Sequence, residues 1–123
     1  MLGEPGFLMP AVWTAKVTTT DATATLLCSY AIPTNCAGRI LVTIAGRKSD
    51  GSARAAYTKL ASFYRASSAG AQGGSTETLG TDYESDSSWD VSVDVSSSVL
   101  RVLVTGAAST TVNWSCLVQL VVV

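Results

Sequence analysis

Residues 89–95, Trp-Asp-Val-Ser-Val-Asp-Val, and 112–120, Val-Asn-Trp-Ser-Cys-Leu-Val-Gln-Leu, decide the fold class of this chain. In the first, Trp89, Val91, Val93 and Val95 alternate with Asp90, Ser92 and Asp94. In the second, Val112, Trp114, Cys116, Val118 and Leu120 alternate with Asn113, Ser115 and Gln119. Successive side chains of a strand point to opposite faces, so a period of two sets one face on a core and the other near water. No segment carries the wider spacing of an amphipathic helix.

Outward from these two stretches the same rhythm predicts strands over 12–19, 23–30, 39–47, 54–65, 76–79, 89–95, 99–105 and 111–122. Ile40, Val42 and Ile44 share a face, and Tyr57, Ala61 and Phe63 lie opposite Thr58, Leu60, Ser62 and Tyr64. Asp50-Gly51 is a hairpin signal, because glycine supplies the positive φ that a tight turn requires. Further turns fall at 20–22, 96–98 and 106–109, and residues 66–75, Ala-Ser-Ser-Ala-Gly-Ala-Gln-Gly-Gly-Ser, read as a flexible loop or hairpin tip. The expectation is an all-β, antiparallel, β-sandwich or jelly-roll-like domain of about eight strands over residues 12–123. An apolar N-terminal arm, residues 1–11, precedes it.

Charged residues make up 14% of the chain and hydrophobic ones 47%. An ordinary soluble domain carries about 25% charged residues. With this much valine, leucine and aromatic content the deficit does not mean disorder. It points to outer surface covered by other subunits. The net charge is −1 and Arg47-Lys48 is the single adjacent basic pair, with Asp50 beside it, so a phosphate-binding face is not expected. No apolar run is long enough for a membrane-spanning helix, and the arm, with Glu4, Pro5 and Pro10, does not read as a secretory signal.

The chain has no histidine, which removes the commonest general base and metal ligand together. Cys28, Cys36 and Cys116 match no zinc spacing. Cys28 and Cys36 flank a turn closely enough to be bridged if the geometry allows, and Cys116 reads as a buried small hydrophobe. Asp82, Glu84, Asp86, Asp90 and Asp94 are the one concentration of carboxylates. They could act as a glycosidic acid and base or hold calcium, but a solvated acidic edge that discourages stray strand pairing is the better reading. No cofactor, metal or catalytic residue is expected. Asn113-Trp114-Ser115 matches a glycosylation acceptor by coincidence in mid-strand. Trp89 and Trp114 are read as core anchors, and Trp13 as an interface residue.

Several phrases in the second half carry a family resemblance. Arg54-Ala55-Ala56-Tyr57 follows the Asp-Gly turn, and Leu79-Gly80-Thr81-Asp82 leads to Trp89-Asp90-Val91. Val102-Leu103-Val104-Thr105-Gly106-Ala107-Ala108 and Val112-Asn113-Trp114 come next. This order, over Thr18 to Val123, resembles β-rich structural proteins of tailed-bacteriophage virions. The resemblance implies β-sandwich subunits, usually trimeric, without enzyme activity. On it rests a virion location, with assembly in the reducing host cytoplasm, which argues against a Cys28–Cys36 bridge.

Within that class a capsid decoration (cement) protein stabilising the head shell comes first. The reason is a single domain with its own Met1 and no heptad or repeat for a shaft. The alternative is a small tail or fibre-tip component with a receptor- or carbohydrate-binding role, using the 66–75 tip. Expected partners are further copies of the chain, as a homotrimer, and the major capsid protein or another virion protein, with no nucleic acid and no membrane. The expected contact residues are Leu2, Phe7, Leu8 and Met9 of the arm, Val12 and Trp13 beside it, and the apolar Val121, Val122 and Val123.

Overall fold

The computed structural model describes residues 12–123; the arm assigned to residues 1–11, with Leu2, Phe7, Leu8 and Met9, lies outside them. The described chain is all β. In chain order the strands are β1 (Val12–Thr19), β2 (Thr25–Ala31), β3 (Cys36–Lys48), β4 (Arg54–Arg65), β5 (Ala71–Thr78), β6 (Tyr83–Glu84), β7 (Asp90–Ser96), β8 (Val99–Thr105) and β9 (Val112–Val122). They form two antiparallel sheets. The larger runs β1-β9-β3-β4-β5, with β6 also paired to β4, and the smaller runs β2-β8-β7. The last of the described strands therefore sits between the first and the third.

Alternation explains which face of each strand is buried. Val112, Trp114, Cys116, Val118 and Leu120 of β9 face inward beside Ile40, Val42 and Ile44 of β3 and Tyr57, Ala61 and Phe63 of β4. Leu27 and Tyr30 of β2, Leu100, Val102 and Val104 of β8, and Val91 and Val93 of β7 meet them from the smaller sheet. Face-to-face packing of two inner faces is the sandwich arrangement, and burying each large side chain contributes about 1.5–3 kcal/mol.

Glycine shapes this layer at two points. Gly46 pairs with Trp114 across β3 and β9, and a Cβ at Gly46 would lie 2.6 Å from Trp114 Cζ3. Gly38, at the other end of β3, likewise lies under the Phe63 ring. Each missing side chain makes room for an aromatic from the neighbouring strand to lie across the backbone. Trp114 then meets Trp89 edge-on, ring centroids 5.6 Å apart, and Tyr57 at 6.4 Å. Its indole Nε1–H donates to Thr19 Oγ1 at 3.0 Å, the buried polar tie between β9 and β1. Trp89 Nε1 finds no partner among the described residues, so Trp89 stabilises through area and ring contact alone.

Two sequence expectations need correction. Residues 71–75 belong to β5, which pairs with β4 through Ser62↔Gly73, Phe63↔Gln72 and Tyr64↔Ala71. A glycine- and serine-rich tract has no hydrophobic period to betray a strand, yet backbone pairing needs no side chain. The register shifts between Leu60 and Ser62, and Gly74, at φ 82°, takes up the irregularity. The remaining tip is pinned: Gly70 N–H donates to Ser98 Oγ at 2.9 Å, and Arg65 donates to Ser68 O and Ile32 O, each at 2.9 Å. The second correction is β6, a two-residue strand at 83–84 too short to carry a pattern.

Tight turns close the hairpins. Ser97 and Ser98 join β7 to β8 with φ 52° and 62°, the all-positive geometry of a type I′ turn, built without the usual Asn-Gly. At Asp50-Gly51 the glycine takes φ 79° and Asp50 Oδ1 accepts from Ser52 N–H at 2.9 Å.

Two substitutions test the Trp114 packing. Thr19→Val keeps the side-chain shape but strands the indole N–H, and should cost about 1–3 kcal/mol. Gly46→Ala drives a methyl into the Trp114 ring and should cost at least as much. Urea midpoints at unchanged m-value measure both; a Thr19→Val midpoint equal to wild type would show that the bond carries nothing.

Candidate interaction surface

Asp82 and Glu84 do not lie along a bare solvated edge, and that reading is corrected for them; Asp94 keeps its place on the solvent face of β7. Lys59 sits on the inner face of β4, in phase with Tyr57 and Ala61, and is 7% exposed. Its Nζ donates to Asp82 Oδ2 at 3.0 Å, to Asp82 Oδ1 at 3.1 Å and to Thr78 Oγ1 at 2.8 Å. The same ammonium stands 5.8 Å from the Tyr57 ring centroid, while Tyr57 O–H donates to Glu84 Oε2 at 2.7 Å. A buried cation needs a paired anion, and that requirement draws the 79–86 segment against the edge of β4. Asp94 receives Arg101 in two bonds, 2.8 and 2.7 Å, across β7 and β8. Asp86 caps its own turn, accepting from Ser88 N–H at 2.9 Å. Among the described residues no group of three or more ligating side chains could hold a metal ion.

Lys59 was legible in principle. Period two places position 59 inside, and a lysine at a core position demands an anion nearby in space; Asp82 and Glu84 are within reach of the same segment. Burial, first, and the bond to Glu84, second, push the Tyr57 phenol well above the ordinary tyrosine range.

The more extensive feature is the outer face of the large sheet. Leu117 of β9 is 41% exposed, and on this face it lies one row from Leu41 of β3 and Leu60 of β4, which pair with each other. Thr43, Thr58, Ala45, Ala56 and Ser115 fill the rows around them. None of these central residues carries a charge. Arg39 stands at one end of the face and Arg47 and Arg54 at the other, with Lys16 on the β1 edge in the Ser115 row, all exposed; Glu77, beside Leu60, is the one carboxylate on the strand rows. The net result is an uncharged, partly apolar centre between cationic ends, on a chain whose total charge is −1.

The described contact candidates flank this face. Val12, 54% exposed, belongs to it through its pairing with Gln119. Trp13 turns the other way and packs, half-buried, against the core of its own chain. Val121 is 70% exposed and Val123 90%, although Val123 exchanges both backbone bonds with Ala37, at 2.8 and 2.9 Å. Val122 lies beside them, partly exposed. An open hollow of about 380 Å³ lies at this corner, lined by Cys36, Ala37, Tyr64, Arg65 and Val123. Asn113 is exposed on the same face, its Oδ1 accepting from Thr18 Oγ1 at 2.9 Å. Trp89 and Trp114 are both core residues, 1% exposed.

No protein-family model and no curated protein matches the chain. Among solved structures it is similar to the tailspike protein of Acinetobacter baumannii phage AM24, with 6% identity and a TM-score of 0.43 over 88% of this chain and 26% of that one. It is similar also to the tailspike protein of Acinetobacter phage vB_ApiP_P1, with 16% identity and a TM-score of 0.40 over 98% of this chain and 24% of that one. The chain thus spans about a quarter of each tailspike. Superpositions this loose carry no weight for mechanism.

The buried phenol gives a signed pH dependence. A tyrosine whose folded pKa is raised contributes stability that is complete below the unfolded value of about 10 and is lost as pH climbs through the folded one. Above about pH 10, Tyr57 should therefore cost the wild type about 1.4 kcal/mol per pH unit that Tyr57→Phe does not lose. Urea unfolding of both proteins between pH 8 and 11, limits set about the unfolded value, reads the difference. Parallel stability curves would refute the assignment.

Proposed function

We propose that this chain is a non-enzymatic structural β-domain of a tailed-phage virion that works by assembling with copies of itself through the outer face of its large sheet. The carrying observation is the uncharged centre of that face, Leu41, Leu60 and Leu117 between cationic ends. An exposed apolar patch rimmed by charge marks a protein contact. The virion class comes from the sequence phrases, Leu79-Gly80-Thr81-Asp82 through Val112-Asn113-Trp114. Both solved structures named above are phage tailspikes; at TM-scores of 0.43 and 0.40 they add no weight to it.

The tail or fibre-tip reading takes precedence over the cement reading. The cement reading rested on a single domain with no heptad or repeat for a shaft, a property that a fibre tip shares. The uncovered face, by contrast, favours self-assembly, which a tail component would use around its own axis. A two-fold contact of this face with itself would bring cations of one copy against cations of the other. Heterologous contacts around a closed ring avoid that clash, and a homotrimer is the smallest such ring.

Leu117→Glu places a charge at the centre of the face without entering the core. It should leave the circular dichroism spectrum intact and raise the dissociation constant of the oligomer at least about tenfold, the equivalent of about 1.4 kcal/mol. Sedimentation velocity across a concentration series reads the result; a wild-type protein that sediments as a monomer throughout overturns the proposal. Copy number in purified virions separates the two positions, hundreds for a shell protein and a handful for a tail component.

A further inference from the structure

Cys28 and Cys116 come from different sheets and meet inside the sandwich. Cys116 lies on the inner face of β9 and is 4% exposed, while Cys28 is half-buried on β2 and packs against the core. Strict alternation after the buried Leu27 would turn Cys28 outward. The bulge in β2 prevents this: Leu26 pairs with Leu103, Cys28 pairs with Val102, and Leu27 is the extra residue between them. Paired residues share a face, so Cys28 lies inward with Val102. β2 packs against β9 across the layer, and the two thiols are close enough that each moves the other's proton affinity. The Cys28 thiol, ahead of the Ala15 backbone, pulls Cys116 down to about 7 against the opposing effect of burial. Cys28 keeps the shared proton and is pushed up. Cys36 is engaged elsewhere, donating to Pro33 O at 3.1 Å.

We propose that Cys28 and Cys116 form a redox modification site, converted by hydrogen peroxide into one disulfide that joins the two sheets. The oxidant is small enough to enter where a protein or glutathione cannot. The Cys116 thiolate attacks one peroxide oxygen and the O–O bond breaks. The sulfur becomes a sulfenic acid, and the departing hydroxide takes up the proton Cys116 had released, giving water. The Cys28 sulfur then attacks the sulfenic sulfur; the S–S bond forms, the S–O bond breaks, and hydroxide leaves with the Cys28 proton as a second water. The two sulfurs lose two electrons in all and the two peroxide oxygens gain them. This site is independent of the assembly proposed above. A cross-link between residues far apart in sequence restricts the unfolded chain strongly.

The folded full chain is treated with hydrogen peroxide at neutral pH and mapped as unreduced peptides. The expected product has lost the mass of two hydrogens, links the peptides of Cys28 and Cys116, and leaves Cys36 open to maleimide. Its melting temperature should rise by about 5 °C or more and return on reduction with dithiothreitol. Cys36→Ser should bridge as the wild type does, whereas Cys28→Ser should leave Cys116 as a sulfenic or sulfinic acid with no bridge. A bridge that includes Cys36, or a folded wild type in which Cys116 stays reduced or is over-oxidised without bridging, would overturn the assignment.

Discussion

The packing of Trp114 across Gly46, held by Thr19, is the contact on which the sandwich depends. The ring fills the layer between the sheets, meeting Trp89 edge-on and Tyr57 alongside. It lies flat over β3 because Gly46 has no Cβ. Its one polar atom is satisfied inside by Thr19, so nothing in the ring needs water. Through that single side chain β1, β3, β4 and β9 are fixed relative to one another. Two rows along the inner face from the tryptophan, between Tyr57 and Ala61, stands Lys59, whose charge must be answered by Asp82; the segment supplying Asp82 runs along the edge of β4.

Alternation made most of this architecture readable. The boundaries of β1, β4 and β8 follow directly from where the pattern stops, at Thr19, Arg65 and Thr105. The inward set Val112, Trp114, Cys116, Val118 and Leu120 is the set the pattern assigns to one face. What escaped has a physical reason in each case. The Ala71-Gln72-Gly73 tract pairs with β4 through its backbone, and Gly74 and Ser75 fall in the irregularity that follows, so the stretch has no side-chain rhythm. Cys28 faces inward only because a bulge breaks the alternation, and a bulge leaves no mark in composition. Lys59 obeys the rhythm but contradicts the expectation that lysine is exposed.

The candidate surface was less legible than the core. Low charge pointed to covered surface, but which surface depends on the strand order. Leu41 and Leu60 meet across the β3–β4 hairpin, and Leu117, far away in sequence, joins them only because β9 inserts beside β3. The same order gathers Lys16, Arg39, Arg47 and Arg54 onto one face of a chain with almost no net charge. Charge segregation of this kind steers orientation more than it adds affinity. Trp13 shows the converse: next to an apolar arm it looked like a contact residue, and the phase of β1 turns it toward its own core.

The position of β9 also governs the order in which the chain can fold. During synthesis β3, β4 and β5 emerge as a meander of neighbours, and β7 and β8 as a two-residue hairpin. These pieces can close locally and fast. β1 emerges first of the described strands and has no partner until residues 112–119 leave the ribosome. Until then the edges of β1 and β3 that β9 will occupy are both bare, with Ile40, Val42 and Ile44 uncovered. The nascent domain therefore spends almost its whole translation time with an open slot in its main sheet, and one late strand closes two edges at once. Crowding of unfinished chains on one message is the condition in which that slot is most exposed to a neighbour's strand.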